Sequence, residues 1–115
     1  EAFSVSELFD SYEDDFNNHY ENAKKLLDSC NSSNTSEDRA KKYDKLNQQF
    51  QEALKCLKQM EIEVTSIPPS YKATVNNRIK ICRNRHETLG KQVRVIKEKV
   101  EFEQQEANLY SGGGN

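Results

Sequence analysis

The sequence predicts an all-α fold, an antiparallel up–down–up bundle of three helices with a long third helix. Three observations predict it. Apolar residues recur at alternating three- and four-residue steps in three separate stretches, which places each set on one helical face. Helix breakers are scarce: there are 4 glycines and 2 prolines, three of the glycines fall at 112–114, and the prolines are adjacent. Turn-rich β folds need far more of both. Finally, 34% of the 115 residues are hydrophobic and 31% are charged. That balance suits narrow apolar stripes on elongated helices within one domain.

The first helix is expected over about residues 5–30. Ser4 and Glu7 have capping-box spacing, in which the serine accepts an amide hydrogen bond and the glutamate reaches back. Its stripe is Phe9, Tyr12, Phe16, Tyr20 beside His19, Ala23, Leu27 and Cys30. The run Asn31-Ser32-Ser33-Asn34-Thr35-Ser36 then breaks the pattern, because such side chains hydrogen-bond their own backbone and favour turns.

Ser36 is a candidate N-cap for a second helix over 37–66. Glu37 and Asp38 follow in its first turn, where the helix dipole favours negative charge. Its stripe is Tyr43, Leu46, Phe50, Ala53 beside Leu54, Leu57, Met60, Val64 and Ile67. Pro68-Pro69 ends it, since proline disfavours helical geometry in the residue before it. The third helix is expected over 70–108, with the stripe Val75, Ile79, Cys82, His86, Leu89, Val93, Ile96 and Val100. Phe102 and Leu109 leave that heptad. Residues 1–110 thus form the bundle, and 111–115 read as a flexible tail or a linker cut short. The alternating spacing predicts crossing angles near ~20° and no internal ligand cavity.

Charge is segregated along the chain. Residues 1–23 hold seven acids and no Lys or Arg, whereas residues 72–99 hold nine bases and two acids. The expectation is mutual attraction of the first and third helices, or simple solvation of both faces. Nucleic acid is not expected as a partner, because no aromatics are interleaved with the bases. Three cysteines at wide spacing, Cys30, Cys56 and Cys82, argue against a disulfide framework and suit a reducing compartment. No apolar run approaches the ~18 residues of a membrane span.

Motifs that carry chemistry are sparse. Cys82 and His86 share a helix face four residues apart, but both lie on the apolar stripe and no further ligand has matching spacing. A zinc site needs about four ligands, so no metal or cofactor is expected, and the pair reads as a small core cysteine beside a partly buried histidine. Glu13-Asp14-Asp15 offers neighbouring carboxylates, yet acid–base catalysis needs a pocket that shifts their pKa values. No Gly-rich phosphate loop, nucleophile motif or CxxC is present. The chain is therefore not expected to be an enzyme. One segment does invite function: Ile67-Pro68-Pro69-Ser70-Tyr71-Lys72 is a proline-stiffened corner that holds an aromatic off the stripe. Tyr71 either anchors a protein partner at low entropic cost or caps the core.

At this corner a resemblance emerges. Gln59-Met60-Glu61-Ile62-Glu63-Val64, then Ser66-Ile67-Pro68-Pro69-Ser70-Tyr71 and Asn77-Arg78, resembles the N-terminal domain of the Vti family of Qb-type SNAREs. The opening Ser11-Tyr12-Glu13-Asp14-Asp15-Phe16 is similar to the same family. The specific likeness covers about residues 11–16 and 50–80. It implies an Habc three-helix domain on the cytosolic face of Golgi, trans-Golgi or endosomal membranes. It also implies a regulatory and sorting role by protein–protein binding, including recognition by the ENTH domain of an epsin-related adaptor. Pairing with other SNARE proteins would use a SNARE helix, and membrane attachment a C-terminal anchor, both missing from this chain. The aromatic beside two prolines leads us to expect the binding surface at Pro68, Pro69 and Tyr71, with the acidic first-helix face near Asp14. The alternative is a spectrin-type structural repeat acting as a scaffold; the absence of tryptophan and the Ser-Gly-Gly-Gly ending speak against it.

Overall fold

The structure, a computed structural model, describes residues 6–112, with side chains through Tyr110. Three α-helices, α1 (Glu7–Asn31), α2 (Ser36–Glu63) and α3 (Lys72–Gly112), are joined by one polar loop and one corner, and the described residues contain no strand. The corner holds two 3-10 turns, Val64–Ser66 and Pro69–Tyr71. α3 has 41 residues, about 60 Å of helix at the usual rise, and the molecule measures 68 × 23 × 18 Å. Cross-helix contacts fix the up–down–up course. His19 meets Gln49 and Ser6 meets Glu63, so α1 and α2 are antiparallel. Arg78 meets Glu13 and Arg85 meets Asn17, so α3 runs parallel to α1.

The helix starts differ in detail from expectation. Ser6 caps α1, its side-chain oxygen accepting the Phe9 amide at 3.1 Å; Ser4, expected in that role, lies outside the described residues. Thr35 caps α2 in place of Ser36, accepting the Asp38 amide at 3.1 Å. The reason is local: Thr35 has the extended backbone a cap needs, and Ser36 is already helical. At the other end α3 continues through Ser111 and Gly112, so the first two residues of the expected tail are helical; residues 113–115 lie outside the described residues.

The core runs along the bundle in two clusters, each built from all three helices. One joins Phe9 and Phe16 of α1, Ala53, Leu57 and Met60 of α2, and Val75, Ile79 and Cys82 of α3. Ile67 of the corner completes it. The other joins Ala23, Leu27 and Cys30, then Leu46, then Leu89, Val93, Ile96 and Val100. All eight stripe residues of α3 are buried. An aromatic layer bridges the clusters: Phe16 stacks on Tyr20 at 6.0 Å between centroids, and Phe50 stacks on His86 at 4.1 Å. Gly90 makes room for Phe50, since a Cβ there would lie 3.1 Å from the Phe50 ring.

Beyond the second cluster a polar lock closes the bundle. Arg39, in the first turns of α2, is 7% exposed. Its guanidinium donates to the Cys30 carbonyl at 3.3 Å and the Ser33 carbonyl at 2.7 Å, which lie at the end of α1 and in the loop. Its remaining edge holds both carboxylate oxygens of Glu103 on α3, at 2.8 and 2.6 Å. One planar fork thus ties three helices, satisfying the Ser33 carbonyl of the loop and adding a second donor to the Cys30 carbonyl, which also accepts the Ser33 amide at 3.3 Å. Beside it the Lys42 ammonium and the Ser33 hydroxyl hold the Asp38 carboxyl below its ordinary pKa.

Two expectations follow from the core and its lock. Arg39→Ala strands the Ser33 carbonyl and Glu103, and should cost about 2–4 kcal/mol in urea unfolding. Arg39→Lys should recover only part of that, because an ammonium cannot span the same acceptors. The second concerns thiols. Cys30 and Cys82 are 0% and 2% exposed. Burial pushes the Cys82 thiol up to about 11 and raises Cys30 and the half-buried Cys56 as well. The reactive thiolate is therefore scarce at neutral pH. A thiol reagent at pH 8 should label Cys56 slowly, and Cys30 and Cys82 only after denaturant is added.

Candidate protein-binding surface

The corner is built from its buried residue outward. Ile67 is 3% exposed and anchored in the first core cluster, and its amide donates to the Val64 carbonyl at 3.1 Å. Pro68 then takes extended geometry (φ −57°, ψ 142°), which releases the chain from α2. Pro69 opens the next turn, where its fixed φ suits a helical start and no amide is missed. The Tyr71 amide donates to the Pro68 carbonyl at 2.9 Å, and α3 follows directly. The direction changes with no cis peptide and no positive φ among the described residues. Pro68 and Pro69 are exposed, and Tyr71 is 38% exposed. The tyrosine therefore neither enters the core nor stands fully clear of the surface.

Asp14 is not brought to this corner by any contact. It lies on α1 about 12 Å of helical rise beyond Ser6, and Ser6 is the residue that meets Glu63 at the corner end, at 3.3 Å. The run Glu13-Asp14-Asp15 is divided by the helix. Glu13 turns toward α3, where its carboxylate takes Arg78 Nε at 3.0 Å and Arg78 Nη2 at 2.5 Å. Asp10 joins from the previous turn at 2.9 Å. The Arg78 guanidinium also lies 4.9 Å above the Phe9 ring. These acceptors, Glu13 first, raise its pKa further still. Asp14 and Asp15 remain exposed. The opposite charges of the first and third helices thus meet in one specific place, and most of the α3 bases stay outside it.

His86 and Cys82 are both buried on α3. The imidazole is committed elsewhere: Nε2 donates to the Phe50 carbonyl at 3.0 Å while the ring stacks on Phe50. Among the described residues, no group of three or more His, Cys, Asp or Glu could hold a metal. His19 sits at the α1–α2 edge with Nδ1 2.8 Å from Gln49 Oε1. An open groove of about 700 Å³ lies between α2 and α3, lined by Phe50, His86 and Gly90 and by Lys91, Arg94 and Lys97 of α3. No helix among the described residues is long and apolar enough to cross a membrane.

Sequence reasoning missed Arg39 and the specific partners of Arg78. Arg39 carried a signal: a cation in the opening turns of a helix opposes the dipole and calls for compensation, here two carbonyls and Glu103. Arg78 carried none beyond net charge, because its partners lie 65 and 68 residues away.

The sequence was compared with known families, curated proteins and solved structures. Residues 5–97 match the family described as vesicle transport v-SNARE protein N-terminus. No curated protein matches, and no solved structure matches. The match corrects the narrower expectation of a Vti-type, Qb SNARE. What matches is the v-SNARE N-terminal family over 5–97, and the stretches that suggested one branch, 11–16 and 50–80, are only part of that span. It also supplies a family in place of the spectrin-type alternative. The chain belongs to the family of vesicle transport v-SNARE N-termini, a SNARE domain family with a general role in membrane traffic.

Proposed function

We propose that the domain acts by binding other proteins, not by catalysis, as a sorting and regulatory module of a SNARE on the cytosolic face of Golgi, trans-Golgi or endosomal membranes. Recognition centres on the corner, Pro68, Pro69 and Tyr71, with a second contact on the acidic face of α1 at Asp14. The partner is the ENTH domain of an epsin-related adaptor. Pairing with other SNARE proteins is assigned to a SNARE helix outside this domain, and membrane attachment to an anchor likewise outside it. One observation carries the reading: an exposed aromatic is held on a turn whose neighbour Ile67 is locked in the core. Such an anchor loses little conformational freedom on binding, which is why aromatics on rigid segments dominate interface energies.

The test is calorimetry with a purified ENTH domain. Tyr71→Ser should weaken binding about tenfold or more, and Asp14→Lys should weaken it less, while both keep the helical circular dichroism of the parent. Unchanged affinity for a folded Tyr71→Ser protein removes the corner from the site. Absence of any heat with the unmodified domain removes the adaptor.

A further inference from the structure

α3 carries a second apolar column on its outer side. Ile81, Val95, Phe102 and Leu109 are 46%, 64%, 61% and 70% exposed, and they fall at multiples of seven residues, with Thr88 filling the one gap. The buried stripe of the same helix advances three and four residues at a time, an average of about 3.5. A column spaced by seven therefore stays on one side of α3 instead of drifting around it. Exposed apolar residues scattered singly need no explanation. Four in heptad register along one helix are not scattered.

The charge along α3 says what could cover this column. Residues 72–97 hold eight bases and one acid, whereas residues 98–106 hold four acids and one base. A parallel copy of α3 would set like charge on like charge, and an antiparallel copy sets base against acid. The column is itself symmetric about Val95, so an antiparallel copy centred there places Ile81 against Leu109, Thr88 against Phe102, and Val95 against its own copy. The same register brings Arg85 beside Glu106 and Lys91 beside Glu98, each twice by the two-fold symmetry. Lys91, Glu98 and Glu106 make no ion pair among the described residues. Arg85 spends one donor on Asn17 at 3.1 Å and lies 5.8 Å from the Tyr20 ring centroid, which leaves further guanidinium donors.

We propose that the outer face of α3 is a self-association surface, on which a second copy of this chain docks antiparallel through the Ile81–Leu109 column. The contact has one apolar residue per heptad where a stable coiled coil has two. The dimer is accordingly weak, forming as concentration rises toward about 1 mM, and its ion pairs make it weaken with salt. The surface lies along α3 away from the corner, so the proposal stands or falls independently of adaptor binding.

Sedimentation equilibrium of the 115-residue chain tests it. The unmodified chain should dimerise reversibly by about 1 mM in low salt, and Val95→Asp should be monomeric there with unchanged circular dichroism. Arg85→Glu with Lys91→Glu, and separately Glu98→Lys with Glu106→Lys, should each be monomeric alone. Mixed in equal amounts these two double variants should restore a heterodimer, because the same four opposite-charge pairs re-form, which a mere loss of folding would not produce. A parent chain that stays monomeric, a dimer that survives Val95→Asp, or a mixture that stays monomeric overturns the proposal.

Discussion

Each of the three helices has only a narrow stripe to contribute, and everything else in the structure follows from how thin the resulting core is. The three stripes meet along one axis, Phe9 to Cys82 in one half and Ala23 to Val100 in the other. No second core layer lies behind them among the described residues. The ends and the middle therefore need devices of their own. The aromatic layer of Phe16, Tyr20, Phe50 and His86 closes the gap between the halves. Arg39 closes one end with a fork of charge-assisted hydrogen bonds. Ile67 and the Arg78 cluster close the other.

The apolar pattern made the fold class legible because helical periodicity is a local property. Val75 to Val100 reads as one face without any knowledge of the partners, and all of it is buried. The corner was legible for the same reason, since proline acts on its immediate neighbours. Caps were less so. Ser4, Ser6, Thr35 and Ser36 are alike in type, and only backbone geometry decides which residue stands just outside the helix. Arg39 and Arg78 were least legible, because Glu103 lies 64 residues from Arg39 and the Arg78 partners lie 65 and 68 residues away. The exposed surface around Tyr71 was visible as composition, but its exposure of 38%, between burial and freedom, depended on how the turn settled.

The site has a matching physical logic. A binding surface on a loop is useful when the loop does not have to be ordered on contact. Here the corner is ordered from inside, by a buried isoleucine and two backbone hydrogen bonds. The acids and bases of α1 and α3 work in the same direction. Arg78 joins the two helices one to two turns from the corner.

The length of α3 adds a consequence of another kind. It begins at the corner and runs about 60 Å without a break, well past the last turn of α1. A stiff rod of that length is a spacer as well as a bundle member. The corner and the last turns of α3 are held a full helix apart. That separation is set by the helix itself and does not depend on how any loop settles.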